Sequence, residues 1–512
     1  MITVRPNGIY IPTHDLKKKL GTKYRDFTDK LKSVHKQLVG PVITYNVAPI
    51  VRLNDTFCTR LPRSILPSMS KLFKVKNELP ELISINIEFI GELTEGQQLV
   101  SDYLLREKFN QERILAGTAN TYLDMQTGYG KSYVLAYVIA KLKLKTLIVV
   151  ATSELAKQMM NDLKYTVKCS YGMYNGPTIK RDGTLKTVKK HTEYDITIAI
   201  INTAIVIPDV GSKFSFIALD ETQCFCSDVF GKIFEATPNV MMGMSATTDE
   251  KPSDFIAIKS IGPVLKATTV DGFSYDDVHF DIDVDVIQYH GHPDYTQHVL
   301  STIGKMDARA MHAQFMEDQH RIKLVVDKIK EIYEQKIIVP MLDPDDGTVV
   351  LDDDTGEPIM EEVQHCIYIF AEELEHLRTI HKYISDIAWA PELEGDNDTI
   401  GMFTGGISDA QSKSMREKSR ILLTTYGYSS KGVSVSKMTA IVFLTSRKAQ
   451  MMQITGRILR RSGDRRIRRR IVDIVDSDTG IKRQYETRKS TYEFRKCNIN
   501  ISKVNYDEIN IE

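Results

Sequence analysis

From about residue 91 the apolar positions fall into short, β-branched runs separated by longer stretches with helical spacing. Tyr122–Met125, Thr146–Val150, Ile196–Ile200, Phe216–Leu219 and Val240–Met244 read as strands, and Tyr133–Leu144 and Glu154–Leu163 as helices. Continuous apolar strands alternating with amphipathic helices predict an α/β fold: a parallel sheet covered on both faces, with ligand loops at the carboxyl ends of its strands. The second half repeats the pattern at Cys366–Phe370, Ile421–Thr425 and Ile471–Val475. Residues 1–90 differ. They offer a short strand at Ile9–Ile11, a Lys-rich helix over Asp15–Leu38 interrupted at Gly21, and punctuation by Pro62, Pro67 and Pro80. The expected organisation is an accessory segment 1–90, α/β domains at 91–265 and 275–475, an acidic insertion at 340–362 within the second, and a tail 476–512.

Charge sharpens the picture only locally. Lys+Arg and Asp+Glu number 67 each, so no global imbalance points to a polyanionic partner. The segment 456–470 nevertheless holds eight arginines, whereas 343–362 is acidic. Such a basic run is either a phosphate-tracking patch, with 464–470 the candidate stretch, or a solvated face. The lysines of 17–36 pose the same choice, and a solvated helix face is preferred. Six cysteines lack paired metal-ligand spacing, and Cys224-x-Cys226 reads as packing. No apolar leader or run of 18 or more apolar residues occurs, so the expectation is a soluble, intracellular chain without membrane contact.

The candidate chemistry lies at predicted strand ends. Gln126-Thr127-Gly128-Tyr129-Gly130-Lys131-Ser132 follows a strand and opens a helix, the context a phosphate-binding loop requires. Its glycines free backbone N–H groups to turn toward a polyphosphate, and the helix N-terminus adds partial positive charge. Lys131 would reach the β- and γ-phosphates, and Ser132 would hold Mg²⁺. The first glycine of the usual pattern is taken to be replaced by Gln126. Phe216–Leu219 ends in Asp220-Glu221-Thr222-Gln223, where Asp220 can hold Mg²⁺ and Glu221 can deprotonate an attacking water. Met244-Ser245-Ala246-Thr247 closes the next strand. Further on, Gln453, Arg457 and Arg460 fall at i, i+4 and i+7 and would share one face of a continuous helix.

Gly128-Tyr129-Gly130-Lys131-Ser132, Asp220-Glu221-Thr222-Gln223, Ser245-Ala246-Thr247, Lys431-Gly432-Val433-Ser434 and Gln453-Ile454-Thr455-Gly456-Arg457-Ile458-Leu459-Arg460 resemble motifs I, II, III, V and VI of superfamily 2 helicases. Gln97 resembles the glutamine that reads adenine in that family. Thr152, Asn202, Thr203, Gly405, Gly406 and Thr425 match its strand-contacting motifs. The fourth residue of motif II is ordinarily His or Asp, and here it is Gln223. Tyr289-x-Gly291-His292-Pro293-Asp294-Tyr295 and Leu423-Thr424-Thr425-Tyr426-Gly427-Tyr428 narrow the likeness to helicases of large cytoplasmic DNA viruses, those of African swine fever virus and, more distantly, the poxviruses.

That resemblance implies two tandem RecA-like domains with ATP and Mg²⁺ between them, and Gln453, Arg457 and Arg460 closing on the γ-phosphate. It implies a monomeric motor on nucleic acid, DNA rather than RNA, acting in viral transcription or late gene expression. Viral RNA polymerase or transcription factors would be its partners, and the host cytoplasm and the virion its locations. A duplex translocase that does not separate strands, an RNA-directed helicase and a scaffold without turnover share parts of the pattern. A phosphate-loop kinase would need no second domain. Residues 340–362 read as a protruding hairpin, since Asp345-Asp346-Gly347 does not complete a Ca²⁺ loop. Ile471–Val475 is expected to be an edge strand before a polar docking tail.

Overall fold

The computed structural model describes residues 1–35, 43–174, 177–179, 185–187, 194–246, 248, 253–275, 280–302, 304, 306–343, 347–386, 400–429, 435–447, 451–459 and 463–511. The chain divides into two compact units, Met1–Asp277 and Val278–Glu512.

The first unit is built on a sheet whose seven parallel strands run in the order Tyr171–Met173, Ile196–Ile200, Thr146–Val150, Phe216–Leu219, Val240–Ser245, Ala119–Asp124 and Val264–Lys266. Pro177–Ile179 and Leu185–Thr187 extend it as an antiparallel pair. Thr146–Val150 and Phe216–Leu219 are buried at every residue, as a strand covered on both faces must be. Their bounds, and those of Ile196–Ile200, are the ones the apolar runs predict. Lys131–Leu142 and Ser153–Thr166 are the helices that follow the phosphate loop and the Thr146–Val150 strand.

Residues 1–90 carry their own five-stranded sheet, in the order Ile50–Leu53, Thr56–Leu61, Gly8–Pro12, Ile2–Arg5, Val75–Asn77. Ile2, Val4, Ile9, Ile11, Leu16 and Leu61 form its core. It is fastened to the larger sheet by a buried cation. Arg63, 4% exposed, donates from Nε to Asn120 Oδ1 (3.3 Å), from Nη1 to the Pro238 carbonyl (2.5 Å) and from Nη2 to that of Asn239 (2.9 Å). The long Lys-rich helix expected here is not formed. A helix Thr13–Leu20 stops at Gly21, whose φ of +53° suits glycine, and a second spans only Tyr24–Asp29. Lys32–His35, with β-branched Val34 at its centre, then pairs as a strand with Ile43–Asn46. Lys36 and Leu38 lie outside the described residues.

The second unit holds seven parallel strands in the order Ile400–Met402, Ile421–Thr425, Ile367–Ala371, Ala440–Phe443, Arg469–Asp476, Ile282–His290, Asn498–Asn505. Two expectations are corrected. The strand containing Ile471–Val475 is interior, paired on both sides, and the edge is supplied by the supposed tail, whose Asn498–Asn505 pairs with Ile282–His290. The tail also contributes a helix, Gln484–Phe494. Ile499 and Val504 pack toward the core while their neighbours face water, which is why the segment reads as polar. The insertion is an antiparallel arm, Lys336–Pro340 against Met360–Gln364, extended by Leu342 opposite Val349 and Leu351 opposite Pro358. Asp345 and Asp346 lie outside the described residues.

Candidate functional site

Parallel strands deliver their carboxyl ends to one edge of a sheet, and in the first unit that edge gathers the predicted chemistry. The Ala119–Asp124 strand feeds the phosphate loop, in which Gly128 (φ +87°) and Gly130 (φ +80°) adopt conformations that side chains resist. Gly130 caps the helix that begins at Lys131, so Lys131 and Ser132 occupy its first turn. Counted back from Gly130, the opening position of the loop pattern is Met125 rather than Gln126. Lys131 Nζ donates to the Met125 carbonyl at 3.2 Å. The lysine is thereby drawn across the loop it serves.

Three contacts brace the loop from outside. Gln97 Nε2 donates to the Tyr129 carbonyl (2.9 Å) while its Oε1 accepts from the Thr94 amide (2.9 Å), and Thr94 Oγ1 in turn accepts from the Gln97 amide (3.2 Å). The structure therefore places Gln97, 4% exposed, against the loop itself as part of a helix-capping box. A segment far along the chain supplies the rest. Tyr275 Oη accepts from the Gln126 amide (3.0 Å), and Tyr129 Oη donates to the Ser274 carbonyl (3.2 Å). Tyr129, Phe273 and Tyr275 meet edge to face with centroids 4.9–5.2 Å apart. Thr127 Oγ1 is buried with no hydrogen-bond partner among the described residues, a polar atom left for a ligand to satisfy.

The acid pair sits two strands away. Asp220 ends the Phe216–Leu219 strand. Burial, then the adjacent Glu221 carboxylate, pushes its carboxyl up to about 7, against the pull of Lys131. Glu221 has φ +50°, a left-handed conformation costly for a residue with a Cβ. Gln223 Nε2 donates to Glu221 Oε2 at 2.6 Å. Thr222, fully buried, donates from Oγ1 to the Leu219 carbonyl (2.8 Å) and accepts from the Met244 amide (3.0 Å), which ties the acid-bearing turn to the strand ending in Ser245. That strand is tied to the loop in turn. Met125 N donates to the Ser245 carbonyl (3.0 Å), and Thr248 Oγ1 to Asp124 Oδ2 (2.8 Å). Thr247 lies outside the described residues.

Thr152 caps the Ser153–Thr166 helix by accepting from the Leu155 amide (3.3 Å), and exposed Asn202 and half-buried Thr203 follow the Ile196–Ile200 strand. All three share the edge that carries Lys131 and Asp220.

In the second unit, Gly405 and Gly406 are exposed after Ile400–Met402, and Thr425 closes Ile421–Thr425 with its Oγ1 accepting from Tyr428 N (3.2 Å). The continuous helix expected through Arg460 is not formed. An α-helix covers Met451–Thr455, Gly456–Ile458 is a 3₁₀ turn, and Leu459 is non-helical (φ −109°, ψ 37°). Gly456, a poor helix former, stands where the α-helix ends. Gln453 and Arg457 are buried at 5% and 4% exposure. Arg460 and Lys431–Ser434 lie outside the described residues. Arg495, a residue of the supposed tail, holds this turn by donating to Thr455 Oγ1 (3.0 Å) and the Met452 carbonyl (2.7 Å).

The arginine run is mostly committed within its own unit. Arg466 bonds Asp464 and Glu361, and Arg470 bonds Asp285 and Glu331. Arg468 pairs with Asp283, and Arg469 donates to the carbonyls of Ile458, Asp464 and Ile467. The guanidiniums of Arg466, Arg469 and Arg470 are thus engaged within the unit, which argues against a phosphate-tracking role for these three, whereas the side chain of Arg468 is 56% exposed. Arg465 stays exposed. Sequence reasoning also missed Tyr275, Arg495 and Asp124. The Thr248–Asp124 contact had a local hint, a hydroxyl beside the Ser-Ala-Thr motif, whereas Tyr275 and Arg495 had none.

A glycine-shaped loop, an acid pair with Glu221 in a left-handed conformation and a bridging strand on one carboxyl edge are what the site of a P-loop nucleoside triphosphatase requires. Residues 90–250 match the family described as "Type III restriction enzyme, res subunit". A protein of African swine fever virus, named "Putative ATP-dependent RNA helicase", is 30% identical over 392 residues, 74% of this chain and 69% of the relative. A "Putative helicase" of invertebrate iridescent virus 6 is 21% identical over 446 residues, covering 86% and 88%. Among solved structures, an ATP-dependent Type ISP restriction-modification enzyme bound to DNA is 12% identical, with 84% of this chain and 32% of that chain covered and a TM-score of 0.49. The chain belongs to the superfamily 2 ATP-dependent helicases of large DNA viruses.

Proposed function

We propose that this helicase hydrolyses ATP to move along a nucleic-acid strand, DNA rather than RNA, during viral transcription or late gene expression. The observation that carries the reading is the shared edge of the first unit: Thr152, Asn202 and Thr203 leave the same strand ends as Lys131, Asp220 and Ser245. Backbone amides and hydroxyls there suit phosphates rather than bases, so the grip would be largely independent of sequence. The African swine fever virus relative is named for RNA and the matched family for a restriction enzyme. Those names pull in opposite directions, and stimulation by each polymer decides between them.

The donor set fits a nucleotide and Mg²⁺. Ser132 Oγ and the desolvated Asp220 carboxylate are hard oxygen ligands, and burial that lifts the Asp220 carboxyl to about 7 is relieved when a cation arrives. Mg²⁺, when bound, neutralises charge developing on the phosphates. Loop amides and Lys131 orient the polyphosphate, with Gln126, Thr127, Gly128, Tyr129 and Gly130 shaping its bed. Gln97 holds the loop at Tyr129 and selects adenine with its remaining amide proton and lone pair. Glu221 orients and deprotonates the attacking water. Gln453, Arg457 and Arg460 belong to the same reading as donors to the γ-phosphate, and Gly405, Gly406 and Thr425 as strand contacts.

Steady-state ATPase activity measured alone, with single-stranded DNA, with duplex DNA and with RNA tests this, beside Glu221→Gln. Stimulation by DNA that is lost in the variant supports a DNA motor. RNA-only stimulation reverses the substrate assignment. Turnover indifferent to any polymer removes the motor reading altogether.

A further inference from the structure

Motif II departs from its family at one residue, and the structure gives that residue a partner. Gln223 sits in the 3₁₀ turn Thr222–Phe225 that directly follows Glu221, and its side chain turns back so that Nε2 lies 2.6 Å from Glu221 Oε2. That distance is short for an N–H···O bond, as expected when the acceptor is charged. Glu221 itself is held at φ +50°, and the turn behind it is fixed by fully buried Thr222 through the Leu219 carbonyl and the Met244 amide. The carboxylate is therefore fixed at both ends. Its backbone is locked by Thr222, and one of its two oxygens is occupied by Gln223.

We propose that Gln223 is a positioning residue for hydrolysis: it clamps Glu221 Oε2 so that Oε1 is the oxygen left to meet the attacking water. The inference rests on the reading of Glu221 as general base. In the step it serves, the water oxygen bonds to the γ-phosphorus, the water proton passes to Glu221, and the bond from phosphorus to the β-phosphate oxygen of ADP breaks. A free carboxylate side chain samples several rotamers, and few point one lone pair at an in-line water. A fixed hydrogen bond removes that search before the reaction begins. An amide suits the task because it donates without carrying charge. A carboxylate at 223 would face Glu221 with like charge, and an apolar side chain would release it. Flipping the amide would set its carbonyl oxygen, an acceptor, against the Glu221 carboxylate, so the donor orientation is the one the acid selects.

The experiment is a double-mutant cycle on the full chain, reading kcat and KM for ATP together with the affinity for a fluorescent ATP analogue. Gln223→Leu should lower kcat about tenfold or more, a fraction of the usual worth of a general base, while KM and analogue affinity stay within about twofold. Gln223→His, which keeps a donor, should recover most of the rate, and Gln223→Glu should fall at least as far as leucine. In the Glu221→Gln background the leucine change should have no further effect, because the group it positions is gone. A loss that multiplies in that background is structural and overturns the inference, as does a Gln223→Leu enzyme of full activity beside an inactive Glu221→Gln. An active Glu221→Gln would instead defeat the reading of Glu221 as base, which separates the two failures. Thermal melting of Gln223→Leu within about two degrees of wild type keeps the comparison clean.

Discussion

The two units share an architecture and use buried charge in opposite ways. In the first, Arg63 apart, the groups to compare stand partly buried at the carboxyl edge: burial lifts the Asp220 carboxyl to about 7, and Lys131 donates to the Met125 carbonyl. In the second, two carboxylates are buried in matched pairs with arginines, beside Arg469, which is buried against carbonyls. Arg321 bonds Asp476 (2.6 Å) and Arg488 bonds Asp473 (2.8 Å), with the side chains 0–3% exposed, and Asp473 also accepts from Tyr492 Oη (2.8 Å). An acid whose burial is not neutralised by a salt bridge is free energy held ready for a ligand. A paired acid has spent its field on a neighbour and reports on structure. Burial alone does not separate a catalytic carboxylate from a structural one; its partner does.

Breaking a pair in the second unit should have the largest effect. Arg488→Met leaves Asp473 buried beside one hydroxyl and should cost about 3–5 kcal/mol, read as a lowered denaturant midpoint. Arg488→Met with Asp473→Leu should recover much of that loss, since two apolar side chains leave no uncompensated charge. If the double variant is as unstable as the single one, the pair is needed for more than mutual neutralisation. In the first unit the mirror experiment moves rate instead. Lys131→Ala should lower kcat by about 10²–10³-fold, the scale for losing one preorganised donor, with the unfolding midpoint almost unchanged. A large stability loss there would erase the contrast.

Histidines sharpen the same difference. In the second unit His312 is 3% exposed with neither ring nitrogen hydrogen-bonded among the described residues, and its ring meets His376 edge to face. Burial, then His376, lowers the pKa of His312 to about 3, and burial, then Arg470, lowers that of His365 to about 4. The unfolded chain therefore takes up these protons near pH 6.5 while the folded chain refuses them. Their contribution is intact above about pH 6.5 and is lost as pH falls toward 4. At pH 5 the two together should have cost about 4 kcal/mol. Urea midpoints between pH 7 and 5 measure it, and His312→Leu should flatten the slope by about half. An unchanged slope would mean that these rings are solvated in the folded state.

How much of this the sequence could disclose follows from the range of each interaction. Thr146–Val150, Phe216–Leu219 and Ile421–Thr425 were legible because strands buried on both faces leave uninterrupted apolar runs. The Gly-Lys-Ser loop and the Asp-Glu pair were legible because their chemistry is local to a few residues. What failed was long-range pairing. Arg466 and Arg470 look like a nucleic-acid patch until Glu361, Asp285 and Glu331, more than a hundred residues upstream, are seen beside them. Tyr275 meets Gln126 across 149 residues, and nothing near either announces it. The strand Asn498–Asn505 was missed for the opposite reason. An edge strand buries so little that its alternation fades into a polar tail.

The acidic arm offers the smallest expected effect on stability and the cleanest contrast with the buried pairs. Its root is anchored, with Arg466 Nη1 reaching both the Pro340 carbonyl and Glu361 Oε1 at 2.5 Å. Beyond the root, the pairings of Leu342 with Val349 and Leu351 with Pro358 put those residues on the face that also carries Ile338 and Met360, and Ile338, Val349, Leu351 and Met360 are 43–60% exposed. A face left so open contributes little to folding. Replacing 342–358 by Asn-Gly, a two-residue turn that closes Met341 onto Ile359, should change stability by no more than about 0.5 kcal/mol. The same change removes seven acids and no base, taking the formal net charge from 0 to +7. Exposed charge acts at a distance through the field of the whole protein, so non-specific affinity for duplex DNA should rise at low salt and converge with wild type as salt is added. Unchanged DNA affinity at low salt would show that the arm's charge lies too far from any surface that meets DNA to be felt. A melting loss of several degrees would show that the arm, like Arg488 and Asp473, belongs to the structure of its unit.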